Sequence, residues 1–332
     1  MEREQEELQS LGFFGIIKES FKIIFSKRKI FSQITLALIL PLSFIFLAHI
    51  QVSQLLFSKI LDHKQTLDHT QKDTPNYANL SDRINSEWIA FWLFKAAYFT
   101  FFLILSLLST SAVVYTIACI YTAKEITFKK VMSVVPKVWK RLMVTFLWSF
   151  FILLVYNIVA IGLITLLAVL IASNVIGIVI IVLLLILYLM GFVYLSIVWQ
   201  LASVVSVLED VYGIQAMIKS KTLIKGKMGV AIGFVILLFT CFVAIAFVFE
   251  NFVVFEMVPD LGIRIGVGIL CFLFLVKVIL FALVVQTVVY FVCKSYHHQN
   301  IDKSALSDHL EVYLGDYVRL KKDVQLGELD HV

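Results

Sequence analysis

The chain has 332 residues, of which 61% are hydrophobic and only 15% charged, and its formal net charge is +5. A soluble globular domain has about 25% charged residues, so this composition excludes an ordinary soluble protein. No Asp, Glu, Lys or Arg occurs from Leu142 to Leu208. Because a membrane-crossing helix needs about 20 apolar residues, this stretch is long enough for two. The sequence therefore predicts an all-α, polytopic membrane protein.

The N-terminal segment, residues 1–31, is predicted to lie in the cytoplasm. It begins with MEREQEELQS, which is acidic and polar, whereas a cleaved signal peptide has basic residues before a short apolar core. An apolar stripe then follows helical spacing and consists of Phe14, Ile17, Phe21 and Ile24. Lys18 and Lys22 lie largely on other sides of this helix. The pattern is typical of an amphipathic interfacial helix, whose lysines contact anionic lipid headgroups.

Residues 32–293 are predicted to form a membrane domain of six spans. By their apolar content the spans cover about 32–54, 92–121, 143–171, 176–203, 229–254 and 264–293. Pro41 lies within the first span and is expected to kink it. Ser173, Asn174 and Gly177 provide the turn between spans three and four. Residues 294–332 then form a polar cytoplasmic tail, with a short helix expected around 304–314.

The distribution of basic residues predicts the orientation. The N-terminal segment, the second and fourth connections and the tail together contain 21 Lys and Arg, whereas the other connections contain five. An excess of Lys and Arg marks the cytoplasmic side of a membrane protein. Both termini are therefore expected in the cytoplasm. The predicted location is the endoplasmic reticulum, another endomembrane or the plasma membrane.

Asn79 is a candidate glycosylation site. It begins the sequence Asn-Leu-Ser, an N-x-S acceptor for N-linked glycans. The sequon falls in the 55–91 connection, which the charge distribution places outside the cytoplasm. The two predictions are therefore mutually consistent.

Two further basic segments precede the third and fifth spans and resemble the first in kind. The second has an apolar stripe at Phe128, Val131, Val135 and Val138, with Lys129 and Lys130 beside it. The third, residues 206–230, contains the four lysines Lys219, Lys221, Lys225 and Lys227. We expect an interfacial helix in each segment, facing the anionic leaflet; the alternative is a solvated linker whose lysines only set the orientation. Glu209 and Asp210 are expected to favour the N-terminus of the third helix, and Gly226 and Gly229 its end.

The third segment contains four motif elements in order before the next span. They are an acidic residue, a glycine, a core that begins with alanine and ends with Lys-Ser, and the sequence L-x-K-G. The matching positions are Glu209, Gly213, Ala216–Ser220 and Leu223–Gly226. This pattern resembles the bacterial YciC-type and glycerophosphodiester phosphodiesterase membrane-domain families. The whole chain also resembles a group of uncharacterised plant six-span proteins. The resemblance implies a polytopic membrane domain and supplies no catalytic residues.

Lys277 lies in the middle of the sixth span, where a charged side chain costs about 2.5–3.5 kcal/mol on insertion scales. It is therefore predicted to face the bundle interior, beside one of the polar side chains Glu250, Asn157, Gln200 and Tyr156. Its role there is either to contact an ion, an anion or a lipid headgroup, or that of a lysine that snorkels or is neutral in a structural hydrogen bond. Lys95, near the outer end of the second span, is expected to snorkel beside Trp92. Two G-x-x-x-G patterns, Gly229/Gly233 and Gly262/Gly266, predict close helix packing.

The sequence contains little that indicates chemistry. HKQTLD (63–68) matches an H-x4-D spacing without the rest of an acyltransferase site, and His297-His298 lacks a third metal ligand. No catalytic residue, metal, cofactor or nucleic-acid partner is predicted. The preferred function is a non-enzymatic membrane protein that organises lipids or partner proteins in endomembranes. The tail is expected to be solvated, with a docking site for partner proteins as the alternative. The alternatives are a transporter or channel that uses Lys277 and, least favoured, a lipid-modifying enzyme.

Overall fold

The structure, a computed structural model, describes residues 8–70, 75–124, 126–171, 175–255 and 257–297. These residues form helices joined by short connections and contain no strand. Six of the helical stretches are long and apolar enough to cross a membrane. The all-α fold with six spans is thus confirmed. Residues 298–332, with His298 and the predicted tail helix, lie outside the described residues, as do residues 1–7, Ser173 and Asn174.

The helices run in chain order as follows: α1 (Phe13–Ser26), α2 (Arg28–Ile34), α3 (Leu40–Asp68), α4 (Pro75–Tyr121), α5 (Phe128–Ile171), α6 (Val175–Leu208), α7 (Ile214–Leu223), α8 (Met228–Phe249) and α9 (Leu261–Tyr296). A π-helical segment, Thr35–Ile39, joins α2 to α3, and another, Glu250–Val254, extends α8. Pro41 closely follows the first of these. The proline lacks the N–H that would bond to the carbonyl of Ala37, so the irregular turn lies where that bond is missing.

Several helices extend well beyond the predicted spans. Helix α4 has 47 residues and is therefore about 70 Å long, more than twice the roughly 30 Å of a hydrocarbon core. Its first turns, together with the last turns of α3, form most of the connection that the sequence places outside the spans. The apolar content of the sequence indicates which part of a helix can lie in the membrane. It does not indicate where the helix ends, because polar turns such as NLSDRINSEW continue the same helix.

The chain divides into two compact units, which we describe separately. The first unit contains residues 13–110 and 229–285. Its core is formed by buried side chains from the end of the first π-helical segment and from α3, α8 and α9: Ile39, Leu42, Leu47, Leu238, Ile245, Phe249, Cys271, Leu275 and Ile279. This core sets the rotation of α9, because Cys271, Leu275 and Ile279 follow helical spacing on one face.

Of the described residues, the second unit contains 8–12, 111–124, 126–171, 175–228 and 286–297. Within it α5 packs along α6, and α7 packs on α6 and α5. The apolar stripe predicted to contact lipid in the second basic segment is instead protein core, since Val131, Val135 and Val138 are almost completely buried. This segment is also not a separate helix. It forms the N-terminal turns of α5, and Pro136 lies inside that helix without ending it.

Candidate functional site

Helix α1 has one buried face and one exposed face that carries phenylalanines. Ile16, Ser20 and Ile23 are buried, whereas Phe14 is 81% exposed and Phe25 is 56% exposed. At 3.6 residues per turn the exposed phenylalanines lie opposite the buried face. We call the exposed side, with Phe14, Phe21, Phe25, Lys18 and Lys22, the aromatic-basic face of α1.

Ring contacts within the first unit hold α1 in place. The Phe13 ring stacks on Phe234 of α8 at 4.4 Å between centroids, and Phe21 stacks on Phe281 of α9 at 5.1 Å. Gly233 permits the first contact, because a Cβ there would lie 3.3 Å from the Phe13 ring. The direction of the aromatic-basic face is therefore set by packing.

The other glycines of the predicted packing motifs do not make close contacts. A Cβ at Gly229 or Gly266 would meet no atom within 4 Å, other than its own helix backbone. The nearest atom to a Cβ at Gly262 is Oδ1 of Asp260, which accepts a hydrogen bond from the Gly262 N–H. Of the four glycines, Gly233 alone lies against another helix, since its neighbour is the Phe13 ring.

The third basic segment contains α7, a ten-residue helix that is docked on the protein. Its Ala216, Ser220 and Leu223 are buried, and the Ser220 hydroxyl donates to the carbonyl of Val198 in α6 at 2.8 Å. The exposed side carries Ile218, which is 59% exposed, beside Lys221.

The lysines predicted to contact anionic lipid differ in their surroundings. Lys18, Lys129, Lys130, Lys221 and Lys225 are exposed, and Lys22 is half-buried. Lys219 instead pairs with Glu209. Lys227 donates to the carbonyl of Leu11 at 3.4 Å and lies 5.4 Å from the centre of the Tyr296 ring. Two of the four lysines of the third segment, Lys219 and Lys227, therefore contact other residues of the protein.

Glu209 is the centre of a partly buried ion-pair network at the end of α6. Its Oε1 accepts a hydrogen bond from the Tyr290 hydroxyl at 2.6 Å and another from Lys294 Nζ at 3.0 Å. Lys294 also donates to the Tyr290 oxygen at 3.2 Å, and Lys219 of α7 pairs with Glu209 Oε2. We call Glu209, Lys219, Tyr290 and Lys294 the Glu209 network. It joins α6, α7 and α9 within the second unit.

The electrostatics of this network favour the ionised carboxylate. Burial raises the pKa of the Glu209 carboxyl, but the charge of Lys294 and the hydrogen bonds from Lys219 and Tyr290 outweigh it. The result is a pKa below the ordinary value of 4.5. The Glu209 side chain is only 11% exposed. The network therefore holds a negative charge beside two lysines.

The residues between Glu209 and α7 fix the path of the chain, and both acids pair with basic side chains. No side chain caps the N-terminus of α7. Asp210 pairs with Arg141 of α5 at 3.2 Å. Gly213 has φ +64°, and its N–H donates to the Thr145 hydroxyl at 2.8 Å. Gly226, with φ +92°, lies against the Tyr296 ring beyond the end of α7.

The expectation that Lys277 faces the bundle interior is wrong. Its side chain is exposed on α9, on the opposite side from the buried Leu275 and Ile279. The candidate partners have other contacts: Glu250 accepts from Gln54 at 2.9 Å, and Asn157 accepts from the Tyr188 hydroxyl at 2.7 Å. The hydropathy pattern predicts the position of Lys277 along the span. The direction in which its side chain points depends on which face of α9 packs in the core.

Two other polar side chains are paired in ways that the sequence did not predict. Lys95 lies 2.8 Å from Nε2 of His49, whose ring stacks on Tyr98 at 3.7 Å. It is therefore bonded within the first unit, whereas the sequence had placed it as a snorkelling lysine. His63 of the H-x4-D match pairs with Glu87 at 2.9 Å. In the described ranges, no group of three His, Cys, Asp or Glu residues could hold a metal ion.

Asn79 is exposed on the second turn of α4. It lines a shallow polar depression between α3 and α4 with Thr66, Thr70, Asp82 and Arg83. Its side chain is therefore accessible to solvent.

A family model described as a domain of unknown function (DUF8558) matches residues 1–329. The chain belongs to the DUF8558 family. No match was found among curated proteins or among solved structures. Membership in DUF8558 covers nearly the whole chain, and the comparisons give no support to the resemblance to the YciC-type and phosphodiesterase membrane domains.

Proposed function

We propose that this chain is a non-enzymatic integral membrane protein that gathers anionic lipids at one leaflet of an endomembrane. The observation that carries the proposal is the aromatic-basic face of α1. Phe14 and Phe25 are exposed there, and Phe21 is 46% exposed although its ring also stacks on Phe281, whereas the opposite face of the same helix is buried. In the proposed orientation this face lies at the cytoplasmic leaflet, where anionic lipids are enriched.

The energies suit a specific lipid contact. Burial of an exposed phenylalanine contributes about 1.5–3 kcal/mol, and each lysine beside a charged leaflet contributes about 1 kcal/mol. Lys18 and Lys22 flank the phenylalanines on one side of α1, so acyl chains and headgroups can be contacted together. Lys221 and Lys225 extend the basic surface of the second unit, since both are exposed.

The alternative function, a transporter or channel that uses Lys277 in a polar interior, has no comparable observation behind it. Lys277 is exposed rather than enclosed by the first unit. The predicted tail docking site falls on residues that the structure does not describe.

Native mass spectrometry of the detergent-solubilised chain tests the proposal. The protein is titrated with phosphatidylserine and phosphatidylcholine, and the ratio of bound lipids is measured. In the Lys18→Gln/Lys22→Gln variant the preference for phosphatidylserine should fall about 5-fold per lysine, the equivalent of roughly 1 kcal/mol each. The matched control is Lys59→Gln/Lys64→Gln, which removes two exposed lysines from the opposite end of the first span.

The two variants separate a local contact from a general charge effect. An equal loss in both would show that net charge alone attracts the lipid. An unchanged preference in the Lys18/Lys22 variant would remove α1 from the proposed function.

A further inference from the structure

Lys277 lies at mid-depth of α9. The predicted span 264–293 places it about 20–24 Å along the helix from either end. The hydrocarbon core extends only about 15 Å from its centre to each edge. A lysine side chain has five single bonds of about 1.5 Å and reaches about 6 Å, so Lys277 cannot place its ammonium at the headgroups of an untilted helix.

The surroundings of Lys277 are apolar and exposed. Leu270, Leu273 and Phe274 occupy the same face of α9 and are 67%, 50% and 57% exposed. We call these three residues and Lys277 the Lys277 face. No described residue forms a hydrogen bond or an ion pair with Lys277, and it differs in this from Lys95, which is bonded to His49. An ammonium on this face therefore contacts lipid tails unless a partner covers it.

Rotation of α9 within the first unit does not remove the problem. Cys271, Leu275 and Ile279 on the opposite face are part of the core, and Leu275 is completely buried. Turning Lys277 inward would expose these side chains and bury the charge without a partner. A charge at this depth costs about 2.5–3.5 kcal/mol on insertion scales, and an acidic partner at the same depth offsets that cost.

The depth of Lys277 in the membrane and its positive charge determine which chemical group can pair with it. A lipid phosphate lies at the headgroup level and is out of reach. A second copy of this chain does not supply the acid, because Glu250 is the only Asp or Glu in the six predicted spans. Glu250 lies near the end of its span and already accepts from Gln54.

We infer that the Lys277 face binds a transmembrane helix of another protein that carries an Asp or Glu at mid-membrane. The carboxylate pairs with the ammonium, and the apolar residues of the partner helix cover Leu270, Leu273 and Phe274. This inference stands on the first unit alone and does not depend on the lipid contacts proposed above.

The test uses synthetic transmembrane peptides as probes of the full-length chain. The labelled protein is reconstituted in phosphatidylcholine vesicles, and energy transfer to labelled leucine-rich peptides is measured. The peptides carry Asp, Asn or Leu at the central position. The Asp peptide should associate about 10-fold more tightly than the Leu peptide, in the range of strong polar contacts between membrane helices. The Asn peptide should show less than half of that gain in free energy.

Two variants assign the effect to Lys277. In Lys277→Met, which suits a lipid-facing position, the preference for the Asp peptide should disappear. Lys95→Met removes the other intramembrane lysine and should leave the preference unchanged. Equal association of all three peptides with the unaltered chain would overturn the inference. A preference that survives in Lys277→Met, or an Asn peptide that binds as tightly as the Asp peptide, would overturn it as well.

Discussion

The Tyr290 hydroxyl donates to Glu209 at 2.6 Å and so connects α9 to the end of α6 across 81 residues of sequence. The same carboxylate accepts from Lys294, one turn further along α9, and pairs with Lys219 of α7. Three helices of the second unit therefore share one negative charge. Removal of that charge leaves two lysines without the negative charge that balances them.

Glu209→Gln should destabilise the second unit by about 2–3 kcal/mol, the scale of hydrogen bonds to charged groups. The amide keeps the volume of the side chain but removes the charge that balances Lys219 and Lys294. Thermal unfolding in detergent, followed by intrinsic fluorescence, measures the change. Asp210→Asn is the matched control, because the Asp210–Arg141 pair is exposed and should contribute less than about 1 kcal/mol. Equal losses in both variants would contradict a special role for Glu209.

The contribution of Glu209 should depend on pH. Since its pKa is lowered in the folded state, the stabilisation is complete above the ordinary value of 4.5 and disappears as the pH falls through the folded-state pKa. The melting temperature of the unaltered chain should therefore drop in that acidic range. Glu209→Gln should lack this part of the decrease. Parallel pH profiles for the two proteins would show that Glu209 does not titrate in this way.

Alanine substitutions at two glycines should differ in their effect on stability, because only one of the glycines has a positive φ and a close neighbour. Gly226→Ala should destabilise the protein by about 1–2 kcal/mol or more, because φ is +92° and the new methyl group meets the Tyr296 ring. Gly229→Ala should be neutral or stabilising by up to about 1 kcal/mol, since it lies in α8 with open space around its Cβ position. Thermal unfolding of both variants gives the comparison. Equal destabilisation would contradict the described backbone.

Asn79→Gln should remove a glycan when the chain is inserted into endoplasmic reticulum microsomes. Asn79 is exposed on α4, and the sequon lies on the predicted lumenal side. Endoglycosidase treatment should shift the unaltered chain, but not this variant, on a denaturing gel. Asn76→Gln is the control, because Asn76 is exposed one turn away and has no acceptor sequence. A chain that is never shifted would leave the lumenal placement without this support.

The six spans could be predicted because long apolar runs have one simple solution in a membrane. The helix ends could not, because polar sequence after Pro75 continues α4 for several turns before the span begins. For a related reason, the sequence could not show that the second basic segment packs against protein. An amphipathic stripe such as Val131, Val135 and Val138 has the same spacing whether it contacts lipid or protein.

In the candidate sites as well, the sequence predicts features formed by neighbours on one helix but not contacts between helices. The stripe of α1 was visible in the sequence, because Phe14 and Phe21 are close neighbours on one helix. The Glu209 network was not, because its members come from three helices. Tyr290 and Lys294, four residues apart at one end of a span, were the available signal. For Lys277, the period of α9 gave its neighbours but did not indicate which side of the helix meets the core.

The presence of a buried face and an exposed face on α1 has a consequence for membrane curvature. Helix α1 is held against α8 and α9 by the rings of Phe13 and Phe21. If the exposed Phe14 and Phe25 enter a single leaflet, they add cross-sectional area to that leaflet alone. On the proposed placement this expansion is not matched on the opposite side of the bilayer. The protein should then concentrate where the membrane bends toward the α1 side, and the sorting should weaken when Phe14 and Phe25 are replaced by serine.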